Sequence, residues 1–260
     1  MSAETAKRCV LAAAETSLRH FRQGVRVDLK PDRTPVTIAD KESEAAILSI
    51  LGREHPTHAV LTEESGAHAG SATHRWIVDP LDGTRGFSRG GTFWGPLVAL
   101  EANGEVVAGA MALPALNEMY WAARGAGAWF SRLDGTEQRK LAVSGISDWC
   151  EATLSLGELT RFLAGPHAAA VTQLSRTAAS TRAFGDLAAC AMLITGRAEC
   201  WMESGVQIWD LAPLKILVEE AGGTFTDLHG QATIASGHAV GTNRKVQAQV
   251  METLAALGNK

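Results

Sequence analysis

The 260-residue sequence lacks the marks of several protein classes. No apolar run reaches 18 residues, so no segment reads as a membrane span. The opening MSAETAKRCVLAAAETSLRHFRQ has no positive region followed by an apolar core and a cleavage site, and a secretory leader is not expected. The four cysteines, Cys9, Cys150, Cys190 and Cys200, make no CxxC pair and no zinc-like spacing. They are expected to be free, buried thiols in a reducing, cytoplasmic compartment. Its 24 basic side chains are scattered against 28 acidic ones, net charge -4, which leaves no electrostatic footprint for nucleic acid. There is no low-complexity linker and no internal repeat. A small ligand is the expected partner, with neither nucleic acid nor membrane.

What remains is a chain 46% hydrophobic and 20% charged, enough for a core that needs no staples. Val10, Ala13, Ala14, Leu18 and Phe21 recur at helical spacing and predict an opening helix over 3–22. Thr37 and Asp40, ahead of the run Ala45 to Leu51, predict a capped second helix. From 58 to 130 the pattern turns to strands, with Asn103-Gly104 and Asp134-Gly135 marking hairpins. Helices return around 166–178, 183–195, 209–222 and 243–257, with short strands near 153, 198 and 224. Alternating blocks of helix and sheet imply an α+β fold of stacked layers.

The chemistry gathers at RWIVDPLDGTRGFSRG. Its apolar run ends in Asp79 and Asp82, where Pro80 removes a ladder donor and Gly83 allows a sharp bend. On this fragment an ordinary Asp-Pro and Asp-Gly turn is a sufficient explanation. Two further junctions carry acid: Glu63 and Glu64 close AVLTEESG, and Asp210 precedes the apolar face of a helix, where it could equally be a cap. Carboxylates at three junctions around one Gly-Thr turn favour a divalent cation site beside a phosphate cradle.

WIVDPLDGT and WDLAPLKILVEEAGG, with TPVTIADKESE and LTEESG, resemble the ordered motifs of the inositol monophosphatase superfamily of magnesium-dependent, lithium-sensitive phosphatases. The resemblance covers nearly the whole chain. It implies a layered α-β-α-β-α sandwich in one domain over 1–260, with 1–145 holding the metal and phosphate motifs and 146–260 the substrate side. It also implies two or three Mg²⁺ per site and a homodimer. Glu63, Asp79 and the Leu81 carbonyl resemble ligands of a first metal. Asp82 resembles a bridging ligand, and Asp210 a ligand of the second. Asp40 and Thr84 resemble the pair that activates the attacking water, with Glu63 assisting, and Asp82, Gly83 and Thr84 the phosphate cradle. Thr62 stands where the family usually has glycine.

RAFGD and GTFWGPLVAL look more like the histidinol-phosphate phosphatases within that superfamily. Asp186 and Glu203 would suit a substrate carrying an ammonium and an imidazole, alongside Arg182, Gly185 and Asp210. Asp186 could instead cap a helix or pair with Arg182. The alternatives are an inositol or broader sugar-phosphate phosphatase, or a regulatory binding protein of the same fold.

Overall fold

The computed structural model describes residues 2–31 and 34–258, apart from the side chain of Asp186. Its elements run α1 (Ser2–His20), β1 (Asp28–Leu29), β2 (Pro35–Val36), α2 (Ile38–Glu54), β3 (His58–Thr62), β4 (Gly66–His68), β5 (Ser71–Asp82) and α3 (Thr84–Ser88). Then come β6 (Gly95–Ala102), β7 (Glu105–Leu113), β8 (Glu118–Ala123), β9 (Gly127–Ser131), β10 (Arg139–Lys140) and β11 (Thr153–Leu156). The remainder is α4 (Leu159–Ala164), α5 (Ala168–Thr177), β12 (Ser180–Arg182), α6 (Asp186–Ile194), β13 (Cys200–Ser204), α7 (Ile208–Glu220), β14 (Thr224–Thr226), β15 (His238–Thr242) and α8 (Gln247–Leu257).

An eight-stranded sheet, order β10-β9-β8-β7-β6-β5-β3-β4, is antiparallel except where β3 runs parallel to β5. Because side chains alternate along a strand, Trp76 and Val78 of β5 pack under α1 and α2, whereas Ile77 joins the cluster around α6 and α7. A five-stranded sheet, order β12-β11-β13-β15-β14, covers the other side of α6 and α7. Trp201 of β13 faces that middle layer, while Cys200 and Met202 face a cluster with Phe162, Val171 and Leu254 of α4, α5 and α8. The order is therefore helices, sheet, helices, sheet, helices, an α+β layered sandwich.

The middle layer has a simple cause. Every residue of α7 from Leu211 to Val218 is buried, as expected of a helix covered on all sides. Gly109 lets α7 approach β7: a Cβ there would stand 2.8 Å from Ile216 Cγ2 and 3.1 Å from Pro213 Cα.

Some sequence expectations shift. In α1 the buried face runs through Val10, Ala13, Ala14 and Ser17, and Leu18 is 37% exposed. Ser17 is tolerated inside because its hydroxyl donates to the Ala13 carbonyl at 2.8 Å. The last helix begins at Gln247 rather than 243, since Asn243 Oδ1 accepts from the Lys245 and Val246 amides and Arg244 takes φ 68°. Both hairpin signals hold: Asn103 and Gly104 adopt φ 52° and 80° between β6 and β7, and β9 pairs with β10 across Gly135. The four cysteines are free, but Cys150 is exposed rather than buried.

Candidate active site

The end of β5 bends for a reason written in its sequence. Asp79 pairs with Leu97 and Asp82 with Gly95, so Pro80 and Leu81 together face one residue of β6. That is a β-bulge, placed where proline has no ladder donor to lose. Asp79 Oδ1 accepts from the Leu81 amide at 2.8 Å. Gly83 then takes φ 79°, and a Cβ on it would lie 2.7 Å from the Phe93 carbonyl oxygen. Both the left-handed backbone and the close approach require glycine.

Across the cavity, α7 begins with Asp210 in its first turn, where Oδ2 accepts from the Gln207 amide at 2.7 Å. One oxygen from each of Asp79, Asp82 and Asp210 lies within 4.8 Å of the others. They border a cavity of about 590 Å³ shared with Glu63, Leu81 and Thr84. Asp79 is 2% exposed. Burial first, and then the charges of Glu63, Asp82 and Asp210, push its carboxyl well above the usual range. Converging hard oxygen donors, with no His or Cys on the lining among the described residues, fit a divalent cation such as Mg²⁺ or Ca²⁺ better than a softer metal.

Glu63 borders this cavity but stands outside the carboxylate trio. Lys30 Nζ sits 2.8 Å from Glu63 Oε1 and 2.7 Å from Glu64 Oε1. Burial would lower the Lys30 ammonium, but hydrogen bonds to both carboxylates outweigh it and the net shift is upward. Glu64 is pushed up to about 7, chiefly by burial, with Lys30 opposing. Thr62 is fully buried and its hydroxyl accepts from the Ser65 amide at 3.2 Å, so the residue that replaces glycine braces the turn.

Asp40 caps a helix with one oxygen and faces Thr84 with the other. Oδ2 closes the N-terminus of α2, accepting from the Thr37 amide at 2.8 Å and hydroxyl at 2.6 Å. Oδ1 faces Thr84, whose Oγ1 is 2.9 Å from it and 3.0 Å from the Leu81 carbonyl. Burial raises the Asp40 carboxyl, and the Thr37 and Thr84 hydrogen bonds hold it back.

The substrate-side residues are less gathered. Gly185 is buried with φ 64° at the start of α6, and the Leu187 amide reaches Asp82 Oδ2 at 3.4 Å. Asp186 is the first residue of α6, and its side chain lies outside the described residues. Glu203 is 2% exposed and accepts from the Trp201 indole and the Glu158 amide, each at 3.3 Å. A Cβ on Gly157 would overlap its carboxylate. Arg182 is exposed on β12, donates to the Thr181 carbonyl and borders a different, mainly apolar cavity. Neither Glu203 nor Arg182 lines the acidic cavity. Two cations that do, Lys30 and Arg161, escaped the sequence reading. Each sits far along the chain from the acids that it faces.

The chain matches the inositol monophosphatase family over residues 2–258. It is 38% identical over 241 residues to a histidinol-phosphatase of Mycobacterium tuberculosis, covering 93% of this chain and 92% of that one. An inositol-1-monophosphatase of Mesorhizobium japonicum is 32% identical over 238 residues, covering 89% and 87%. Among solved structures, the extragenic suppressor protein suhB from Bartonella henselae superposes with a TM-score of 0.88 at 28% identity, over 96% of this chain and 97% of that one. With this fold and this carboxylate cavity, the chain belongs to the inositol monophosphatase family, as a phosphoric monoester hydrolase.

Proposed function

We propose that this hydrolase is Mg²⁺-dependent and acts on L-histidinol phosphate, releasing L-histidinol and phosphate. The convergence of Asp79, Asp82 and Asp210 on one cavity carries the hydrolytic part. The substrate rests on similarity: three relatives named histidinol-phosphatase are 38%, 34% and 33% identical to the chain. When bound, Mg²⁺ supplies Lewis-acid activation of water and neutralises phosphoryl charge. Glu63, Asp79 and the Leu81 carbonyl would hold one ion, Asp210 a second, and Asp82 both.

The protein's own part is positioning and proton transfer. Thr84 gives its hydroxyl proton to Asp40 Oδ1 along their 2.9 Å hydrogen bond as its oxygen takes one from the attacking water, so the threonine ends with the proton count it began with. Gly83 and Thr84 present backbone amides to the phosphoryl oxygens. Asp186 would draw in the substrate ammonium; Glu203 and Arg182 do not line the acidic cavity, so any part they take is indirect. The reading includes one domain over 1–260 and a cytoplasmic homodimer.

Turnover of L-histidinol phosphate and inositol 1-phosphate with Mg²⁺ tests the substrate. We expect at least a tenfold higher kcat/KM for the histidinol ester, and loss of turnover in Asp82→Asn by about 10³-fold or more. Equal or better use of the inositol ester overturns the substrate assignment. If no phosphomonoester is cleaved, and Asp82→Asn keeps whatever biological effect the protein has, the regulatory reading replaces it.

A further inference from the structure

The β1–β2 hairpin has two faces, and only one belongs to the acidic cavity. Leu29 pairs with Pro35 across it, and the next position inward joins the Lys30 amide to the Thr34 carbonyl at 2.9 Å. Successive side chains along a strand point to opposite sides. Lys30 and Thr34 accordingly border the acidic cavity, while Leu29 and Pro35 border a second concavity of about 550 Å³. The turn after β5 divides the same way. Thr84 faces the acids, and Arg85 faces the second space together with Arg89.

We infer that this second concavity binds a small amphipathic organic anion, a molecule with a carboxylate, sulfate or phosphate head and a short apolar body. The two arginines are four residues apart on α3 and its cap, on one helical face, where like charges repel. Among the described residues no hydrogen bond or ion pair engages either guanidinium, and both side chains are exposed. An anionic head would relieve that repulsion, and the planar fork of arginine suits a bidentate oxyanion. Opposite stand Val27 and Leu29, 40% and 65% exposed, apolar side chains that an aliphatic or ring body would cover. The volume falls within the range of small-molecule sites, roughly 300 to 1,000 Å³. A concave space of this size fits a free molecule better than the flat surface of a lipid bilayer.

Hexyl sulfate, below its micellar concentration, is a suitable probe because a phosphatase cannot hydrolyse it as a phosphate ester. Titrated calorimetrically into the whole metal-free protein, it should bind one to one. Affinity should fall at least tenfold in Arg85→Gln/Arg89→Gln and severalfold in Leu29→Ser, with thermal melts confirming that each variant is folded. Asp210→Asn, which alters only the acidic cavity, should bind it as the parent does. This separates the inference from the phosphatase reading, whose failure would leave the titration unchanged. Undetectable binding, or equal affinity in the folded double-arginine variant, overturns the inference. So does sedimentation with phosphatidylglycerol vesicles, lost in Leu29→Ser, when hexyl sulfate does not bind.

Discussion

Gly83 is the residue on which the turn after β5 depends most narrowly. Its φ of 79° and the 2.7 Å approach to the Phe93 carbonyl leave no room for a methyl group. Gly83→Ala should cost about 1 to 3 kcal/mol of stability, measured by urea denaturation, and should lower turnover further by moving Thr84. Lys30 offers a contrasting case. Its ammonium neutralises Glu63 and Glu64 from 2.8 and 2.7 Å. Lys30→Met removes that internal counter-charge, so isothermal titration should record tighter binding of a divalent cation than in the parent. Unchanged or weaker binding would mean that Glu63 takes no part in holding the ion. Such a residue is hard to find from sequence, because its partners lie 33 and 34 positions away and only the folded hairpin brings them together.

Among elements, α2 shows how a helix cap and the proton acceptor proposed above can share one side chain. Thr37 and Asp40 close its first turn reciprocally, and that much was legible as a Thr-x-x-Asp pattern. Thr37→Ala should cost about 1 kcal/mol and, by freeing Asp40 to shift, reduce turnover as well. A thermal melt paired with steady-state kinetics checks both. The break in β5 was legible only in part: Asp-Pro predicts an end to the strand, whereas the ladder resumes at Asp82 after a bulge. The elements that escaped were short ones. α4, the β1–β2 hairpin and β15 have few residues and weak periodicity, and they hold their shape through neighbours. β15, for example, lies between β13 and β14, where Gly241 packs against Trp201.

At the scale of the molecule, the ring contacts at one end of the eight-stranded sheet predict a pH dependence. His58 lies 4.8 Å from both His55 and His74, centroid to centroid, and Trp76 packs against His55. Burial chiefly lowers the His55 and His58 imidazoles below their ordinary 6.5, with Glu54 opposing at His55 and the neighbouring imidazoles adding to it at His58. The unfolded chain therefore binds the extra protons, so stability is full above about pH 6.5 and declines as pH falls below it. Urea midpoints from pH 8 to 5.5 should show this, and His58→Gln should flatten the slope. The layered architecture and the acidic junctions could be read from sequence because each rests on local pattern. The distribution of cations could not, since Lys30, Arg161, Arg85 and Arg89 acquire their settings only when the hairpin and α4 fold over the layers. One consequence concerns topology. Asp82 ends a strand of the large sheet and Asp210 begins the helix beneath it, roughly 130 residues later along the chain. A cation shared between them would act as a reversible staple, closing a long loop much as a disulfide does and limiting the freedom of the unfolded chain only if it remained bound there. Metal bound between these carboxylates would then make the protein's resistance to unfolding follow the supply of metal.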